Sequence, residues 1–440
     1  MKKLFFTAAA LVLLCATSVS AQIKNQEFEK YRRSSLSVIM LEDPNLDPAI
    51  ASLVKESFLN NPLPSKYNDH GLDVSLRTFS FGDVTITDED KAAYNAFIGK
   101  KEQGALASAI AGAAKEAFAQ ILKFDKLKED APYVAYKYVM NNNLAKKSVD
   151  RWFGVDGGKF NLDLLRERVA WNATELEKAA AAEASTGRSA IDYIFDNGGE
   201  EIVSNTFIPV VRFRYMSADE LAAEVEAYAQ IAASLIPIPQ AQQAAMLAAK
   251  AAGLAISKIG GYFVHTTTYL YRLKWNADVF NAISQTGGDL AKYNALNCFE
   301  LEFVGDEKAF CSVTAVKRTQ EEAVKFATVR AMDKVFAKLE KKYEVFRTKT
   351  PLATVTPAMT AYIGTKECVE KGDKYEILIR SIDPKTNKET YKSVGKIAVE
   401  TVGNNMGDNN DEKNASADPF TTFKGKAPKK ATSGMLIRQL

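Results

Sequence analysis

Three stretches of this chain alternate apolar with charged residues two by two, a period that fits a β-strand with one solvated face. Arg212 and Arg214 lie in the run Thr206 to Tyr215, Arg272 and Lys274 in Tyr262 to Trp275, and Glu300 and Glu302 in Cys298 to Val304. Period two puts each pair on one face. Basic and acidic strands can then alternate across a solvated surface while Val211, Phe213, Leu273, Phe299 and Leu301 turn toward helices. The pattern predicts an antiparallel or mixed sheet covered by helices on one side.

The helices that would cover it carry their own start signals. Asp47 and Pro48 open a helix running to about Leu59, and Asp88 to Asp90 open a long helical region reaching about Leu127. Ser217 with Glu220, and Thr319 with Glu322, have the spacing of a capping box. Further strands are expected at Ser37 to Leu41, Val74 to Phe81 and Tyr343 to Phe346. Residues 229–249 hold no charge for 21 positions, but Pro237 and Pro239 interrupt them and alanine contributes little to membrane transfer. A helical hairpin turning at Pro237 to Pro239 is the preferred reading, with a spanning helix and a peripheral membrane contact as the alternatives.

Past a Pro- and Thr-rich linker, Thr348 to Thr356, the chain breaks into short strands: Met359 to Ile363, Tyr375 to Ile382, Tyr391 to Lys392, Lys396 to Val402 and Met435 to Ile437. These read as a small C-terminal β-barrel, with 403–418 and 424–430 as solvated loops. The fold class is therefore α+β, divided as a leader at 1–21, an N-terminal α/β region at 22–145, an α/β domain at 146–350 with a helical insertion at 217–260, and the barrel at 351–440.

Lys2 and Lys3, the apolar run Leu4 to Ala16 and the small residues Val19 to Ala21 read as a secretory signal peptide cut after Ala21. A lipid anchor on Cys15 is disfavoured because Leu14 precedes it. Export admits disulfides, and Cys298, Cys311 and Cys368 remain in the mature chain. Val304 to Glu307 reads as a turn between two strands carrying Cys298 and Cys311; one register would allow a bridge, and a slip of one residue would bury two free thiols instead.

The 57 basic and 54 acidic residues are balanced, which argues against a nucleic-acid partner. With two His, His70 and His265, far apart in sequence, imidazole catalysis and zinc sites have little to work with. The glycine-flanked serine elbow, the phosphate loop and the two-histidine zinc helix are all missing from the sequence. Asp408 to Glu412 lacks the central Gly and distal Glu of a calcium loop, and Asp196 to Glu201 reads as a helix interruption. No catalytic, cofactor-binding or metal-binding residue is assigned.

The order strand, helix, helix, strand over Phe160 to Arg168, Thr174 to Ala184, Gly187 to Val203 and Thr206 to Tyr215 resembles the α/β domain of curli-secretion lipoproteins and of the amino-terminal part of TolB envelope proteins. Arg166-Glu167-Arg168 and Gly198-Gly199 stand where that family has a Glu-Arg pair and a glycine-containing segment. The lipid-bearing Cys is missing, and about 45 residues separate the two long strands. The terminal barrel resembles that of a periplasmic flagellar-assembly protein, and the chain as a whole resembles uncharacterised secreted proteins of Gram-negative bacteria, a resemblance that implies no activity.

The expectation is a non-catalytic envelope protein, periplasmic or associated with the outer membrane, that binds other envelope proteins through its sheet edge and barrel. The alternatives are a secreted hydrolase using paired carboxylates and a peripheral membrane-binding protein using 229–249.

Overall fold

The computed structural model describes residues 34–61, 67–69, 71–99, 126–155, 161, 203–234, 236–257, 261–314, 318–382, 389–405, 418–429 and 431–440. In chain order, the first strands and helices are β1 (Ser34–Leu36), β2 (Ile39–Glu42), α1 (Pro48–Asn60), β3 (Tyr67–Asp69), β4 (Thr78–Ser80), α2 (Asp88–Phe97), α3 (Lys126–Asn141) and α4 (Leu144–Phe153). The long strand β5 (Thr206–Ser217) leads into α5 (Ala218–Ser234), α6 (Pro239–Ser257) and β6 (Gly261–Lys274). Two short helices, α7 (Ala277–Ser284) and α8 (Leu290–Asn294), precede β7 (Glu300–Thr314) and the long helix α9 (Gln320–Lys342).

One mixed sheet of seven strands is built around β5. On one side β1 and β2 lie end to end against β5, with Ser35 opposite Thr206 and Ile39 opposite Val210. β3 flanks β1 and β4 flanks β2, all parallel. On the other side β6 and β7 continue the sheet antiparallel. Strands from the 22–145 region and from the 146–350 region thus share one ladder, and residue 145 does not divide it.

Both faces of the sheet are covered, in place of the single covered face the alternation predicts. Ile39, Leu41, Ile208, Val210, Tyr271 and Leu273 pack under α3, α4, α7 and α8 through Val134, Trp152, Phe153, Val279 and Tyr293. Met40, Phe207, Val211, Phe213, Val264 and Leu270 pack under α1 and α9 through Val54, Phe58, Ala331 and Val335. The polar tip of Trp152 finds a partner in this arrangement: its Nε1 donates to Thr206 Oγ1 at 2.9 Å.

Register explains what becomes of the charged pairs. Arg272 stands opposite Phe207 and Arg212 opposite Thr267, so the two arginines occupy opposite faces. Arg272 and Lys274 meet Glu302 and Glu300 across β6 and β7 at 3.4 and 2.9 Å, the cross-strand pairing the sequence suggests. Arg212 is instead buried under the helices, 5% exposed, against Asp43. Leu273 likewise faces away from Val211 and Phe213.

The turn expected at Val304 to Glu307 is a β-bulge inside one strand. Leu270 pairs with Gly305 and Tyr271 with Phe303, which leaves Val304 as the extra residue. Leu301 therefore packs in the first core while Ala309, Cys311 and Val313 pack in the second. Cys298 precedes this strand and Cys311 lies far along it, so no cross-strand bridge forms; Cys298, Cys311 and Cys368 are free thiols. Gly305 has φ +151°, and a Cβ there would enter the Tyr343 ring, whose hydroxyl donates to the Asp306 carbonyl at 2.8 Å.

Local start signals place the helices where expected. Asp47 accepts from the Ala49 and Ile50 amides, and Thr319 and Glu322 form a reciprocal capping box. Thr87 caps α2, and the remainder of the helical region expected beyond it, 100–125, lies outside the described residues. The strand expected at Ser37 to Leu41 is broken at Ser37 and Val38; the segment expected at Val74 to Phe81 is a 3-10 turn at Val74–Leu76 followed by the short strand β4, and Glu344–Phe346 is a 3-10 turn. The insertion is a hairpin of α5 against α6, turning at Pro237 and Ile238, with Gly253 letting the Glu226 side chain approach closely.

The C-terminal unit is a nearly closed antiparallel barrel of six strands, ordered β8 (Thr350–Pro351), β13 (Leu436–Gln439), β10 (Lys374–Ile382), β11 (Glu389–Thr401), β12 (Thr421–Lys424) and β9 (Met359–Ala361). Its core includes Leu352, Ile363, Ile377, Val399, Phe423 and Ile437. The two strands expected at 391–392 and 396–402 are one bulged strand, and β12 lies between the two expected loops, where no strand was expected. Arg438 joins barrel to sheet domain, bonded to both Glu376 at 2.7 Å and Glu344 at 3.0 Å.

Candidate binding surface

Paired-carboxylate chemistry needs two acids facing a pocket, one of them held protonated. The nearest match is a cavity of about 190 Å³ at the carboxyl ends of β2 and β4, lined by Met40, Glu42, Asp43, Ser80 and Phe213 among others. Both acids there are already engaged. Asp43 Oδ2 accepts from Arg212 Nη2 at 2.7 Å and Nε at 3.1 Å, while Glu42 accepts from Lys55 at 2.6 Å. Carboxylates with a displaced pKa elsewhere, such as Asp90 and Glu376, sit below their ordinary range. The hydrogen bond from Lys137 dominates for Asp90; for Glu376 burial pushes up, and the bonds from Arg438 and Ser393 outweigh it.

A second cavity of about 240 Å³, between Phe97, Tyr136, Met140, Phe299 and Leu301, is mainly apolar. Beside it, Tyr271 is wholly buried and its hydroxyl has no hydrogen-bond partner among the described residues, and burial pushes its pKa far up. Among the described residues no group of three or more His, Cys, Asp and Glu could hold a metal ion. His70, Asp408 to Glu412 and Asp196 to Glu201 lie outside the described residues. His265 is exposed on β6 with its ring 4.8 Å from that of Phe310. Burial is the main cause raising the thiol pKa of Cys298, Cys311 and Cys368, which opposes a nucleophilic role.

The more informative feature is the outer strand. β7 pairs with β6 alone among the described strands, so a 15-residue strand presents one free edge. Its first half is blocked by a charged and bulged sequence and by α9. Lys342 Nζ donates to the Asp306 carbonyl at 2.8 Å and Lys338 Nζ to the Lys308 carbonyl at 2.7 Å. The same lysines pair with Glu307 at 3.0 and 3.9 Å. The second half, Ala309 to Thr314, carries no charge, no bulge and no proline. Phe310 there is 38% exposed, stacked beside Phe263 with ring centroids 6.0 Å apart. Sequence reading missed this site because it split the strand into a hairpin.

The helical hairpin is the other apolar surface, with Ile238, Met246, Leu247 and Leu254 exposed on it. Within residues 229–249, Ala233 and Ala249 are buried, and the proline turn separates two helices. Among the described residues no helix is long and apolar enough to cross a membrane.

Compared with protein-family models and with curated proteins, the chain matches none. Of the four elements that carry the resemblance to curli-secretion and TolB-type domains, only the last, Thr206 to Tyr215, falls wholly within the described residues.

Proposed function

We propose that this is a non-catalytic binding or assembly protein of the cell envelope, which contacts other envelope proteins through the edge of its sheet and through its barrel. The half-blocked edge of β7 carries the reading. Folded proteins blunt long edges against unwanted pairing, and here that protection stops after Lys308, leaving a short uncharged stretch open. The acids of the β2/β4 cavity, tied into ion pairs, support binding over hydrolysis. Export rests on the leader-like sequence Lys2 to Ala21.

The test is crosslinking of the tagged protein in intact cells after separating periplasm from outer membrane. Reproducible recovery of specific envelope proteins, lost when Phe310 is replaced by Asp, is the expected result. A soluble monomer recovered without partners would overturn the reading. The exposed apolar residues of the hairpin favour a second reading, peripheral contact with a lipid surface; failure of the purified mature chain to float with liposomes would remove it.

A further inference from the structure

We infer that the open half of β7 accepts an extended segment of a partner protein that carries acidic side chains, added as a further strand outside Ala309 to Thr314. The inference rests on the binding reading above and names the chemistry of the partner at that same edge.

The geometry begins with α9. Lys342 reaches the Asp306 carbonyl and Lys338 the Lys308 carbonyl, so four residues of helix advance in step with two residues of strand. That match is physical: four helical residues rise about 6.0 Å and two strand residues about 6.6 Å. Continued by the same step, Lys334 stands level with Phe310 and Arg330 level with Ser312. The electrostatic influence of both Arg330 and Lys334 on the Cys311 thiol agrees with that placement.

Here the two halves of the rim differ. Lys338 and Lys342 are consumed by the strand's carbonyls and by Glu307. Lys334 and Arg330 are exposed and form no ion pair among the described residues; Arg330 only lies over the Phe326 ring at 5.3 Å. The carbonyls of Asp306 and Lys308 point outward, so with period two the backbone groups of Phe310 and Ser312 point outward as well. An uncharged strand edge with outward N–H and C=O groups thus runs beside two uncommitted cations. An incoming strand would pair its backbone with Phe310 and Ser312, set an apolar residue against Phe310 and Phe263, and place carboxylates against Lys334 and Arg330. A basic strand would meet like charge from the same two residues.

The experiment uses the full mature chain and a short fluorescent peptide alternating valine with aspartate. Its controls are the same peptide with lysine for aspartate, and one with prolines at the positions that would pair with β7. The expected result is binding of the acidic peptide alone, weakening as salt rises, with slowed amide exchange at Phe310 and Ser312. Arg330→Glu with Lys334→Glu, both on the exposed side of α9, should weaken binding by roughly tenfold or more. Ser312→Pro removes an outward N–H without removing a β6 bond, and should abolish binding while circular dichroism stays unchanged. Equal binding of the proline peptide, protection elsewhere, indifference to charge reversal, or no binding would each overturn the inference. Because no cellular partner enters this measurement, its failure is distinct from failure of the crosslinking test.

Discussion

Arg212 on β5 holds Asp43 just beyond β2 through two nitrogens on one carboxylate oxygen, at 2.7 and 3.1 Å, in a site where both side chains are almost wholly buried. Asp43 also accepts from the Asn45 amide at 3.1 Å, so the pair fixes the chain where it leaves β2 for α1. Removing one partner strands a charge in the interior. Arg212→Met should cost about 3–5 kcal/mol of stability, and adding Asp43→Asn should recover much of that, both read by urea denaturation. A loss under about 1 kcal/mol for the single variant would show that the pair is more hydrated than its burial implies.

Tyr271 makes the opposite case. Its hydroxyl is buried among Phe97, Phe303 and other rings without a hydrogen-bond partner among the described residues. Tyr271→Phe removes an uncompensated polar group at almost unchanged shape, so stability should rise by up to about 1 kcal/mol. A fall in the thermal midpoint would count against it.

Alkaline pH should loosen the fold. Burial is the first cause that raises the pKa of Tyr67, Tyr94, Tyr215, Tyr269, Tyr271 and Tyr375 above the usual phenol value of 10.0. Tyr67 is raised further by the Glu340 carboxylate to which it donates. A raised folded pKa gives stability that is complete below the unfolded pKa and lost as pH climbs toward the folded one. The denaturation midpoint should therefore hold at pH 8 to 9 and fall from about pH 10 upward, with Tyr67→Phe reducing the slope.

Gly305 is the hinge of the β7 bulge, and Ala there meets both an unfavourable φ and the Tyr343 ring. Gly305→Ala should cost about 1–3 kcal/mol. If the clash with the Tyr343 ring makes up part of the loss, Tyr343→Ala in the same background should recover that part; if Tyr343 rotates away, it should recover none.

The thiols give a direct chemical check of β7. Since Cys298, Cys311 and Cys368 are all free, a denatured, unreduced chain beginning at residue 22 should titrate for three thiols. Recovery of one would show that two of the three are bridged, and if peptide mapping identified the pair as Cys298 and Cys311, the continuous strand would be wrong.

What could be read in the sequence was local. Asp47 with Pro48, and Thr319 with Glu322, mark helix starts through groups only a few residues apart, and those helices begin as expected. The α+β class and the barrel followed from such signals. Gly305-Asp306, by contrast, has the same local chemistry in a hairpin turn and in a bulge; the ladder with β6 decides between them. Helix α3 was missed because Pro132 and the run Tyr133 to Val139 favour breaks and strands, while burial of Val134, Ala135 and Val139 against the sheet overrides that preference. The step of four through Arg330, Lys334, Lys338 and Lys342 is visible in the chain, but the strand rim it accompanies is set by contacts remote in sequence.

β5 and β6 remain register partners up to Ser217 and Tyr262, so the helical insertion leaves and re-enters the sheet at adjacent points. A tight turn could close the ladder there as well as two helices do. The insertion is thus a graft on a complete framework: it can lengthen, shrink or be exchanged while every strand keeps its partner, and a reporter domain spliced between α5 and α6 would ride outside both cores.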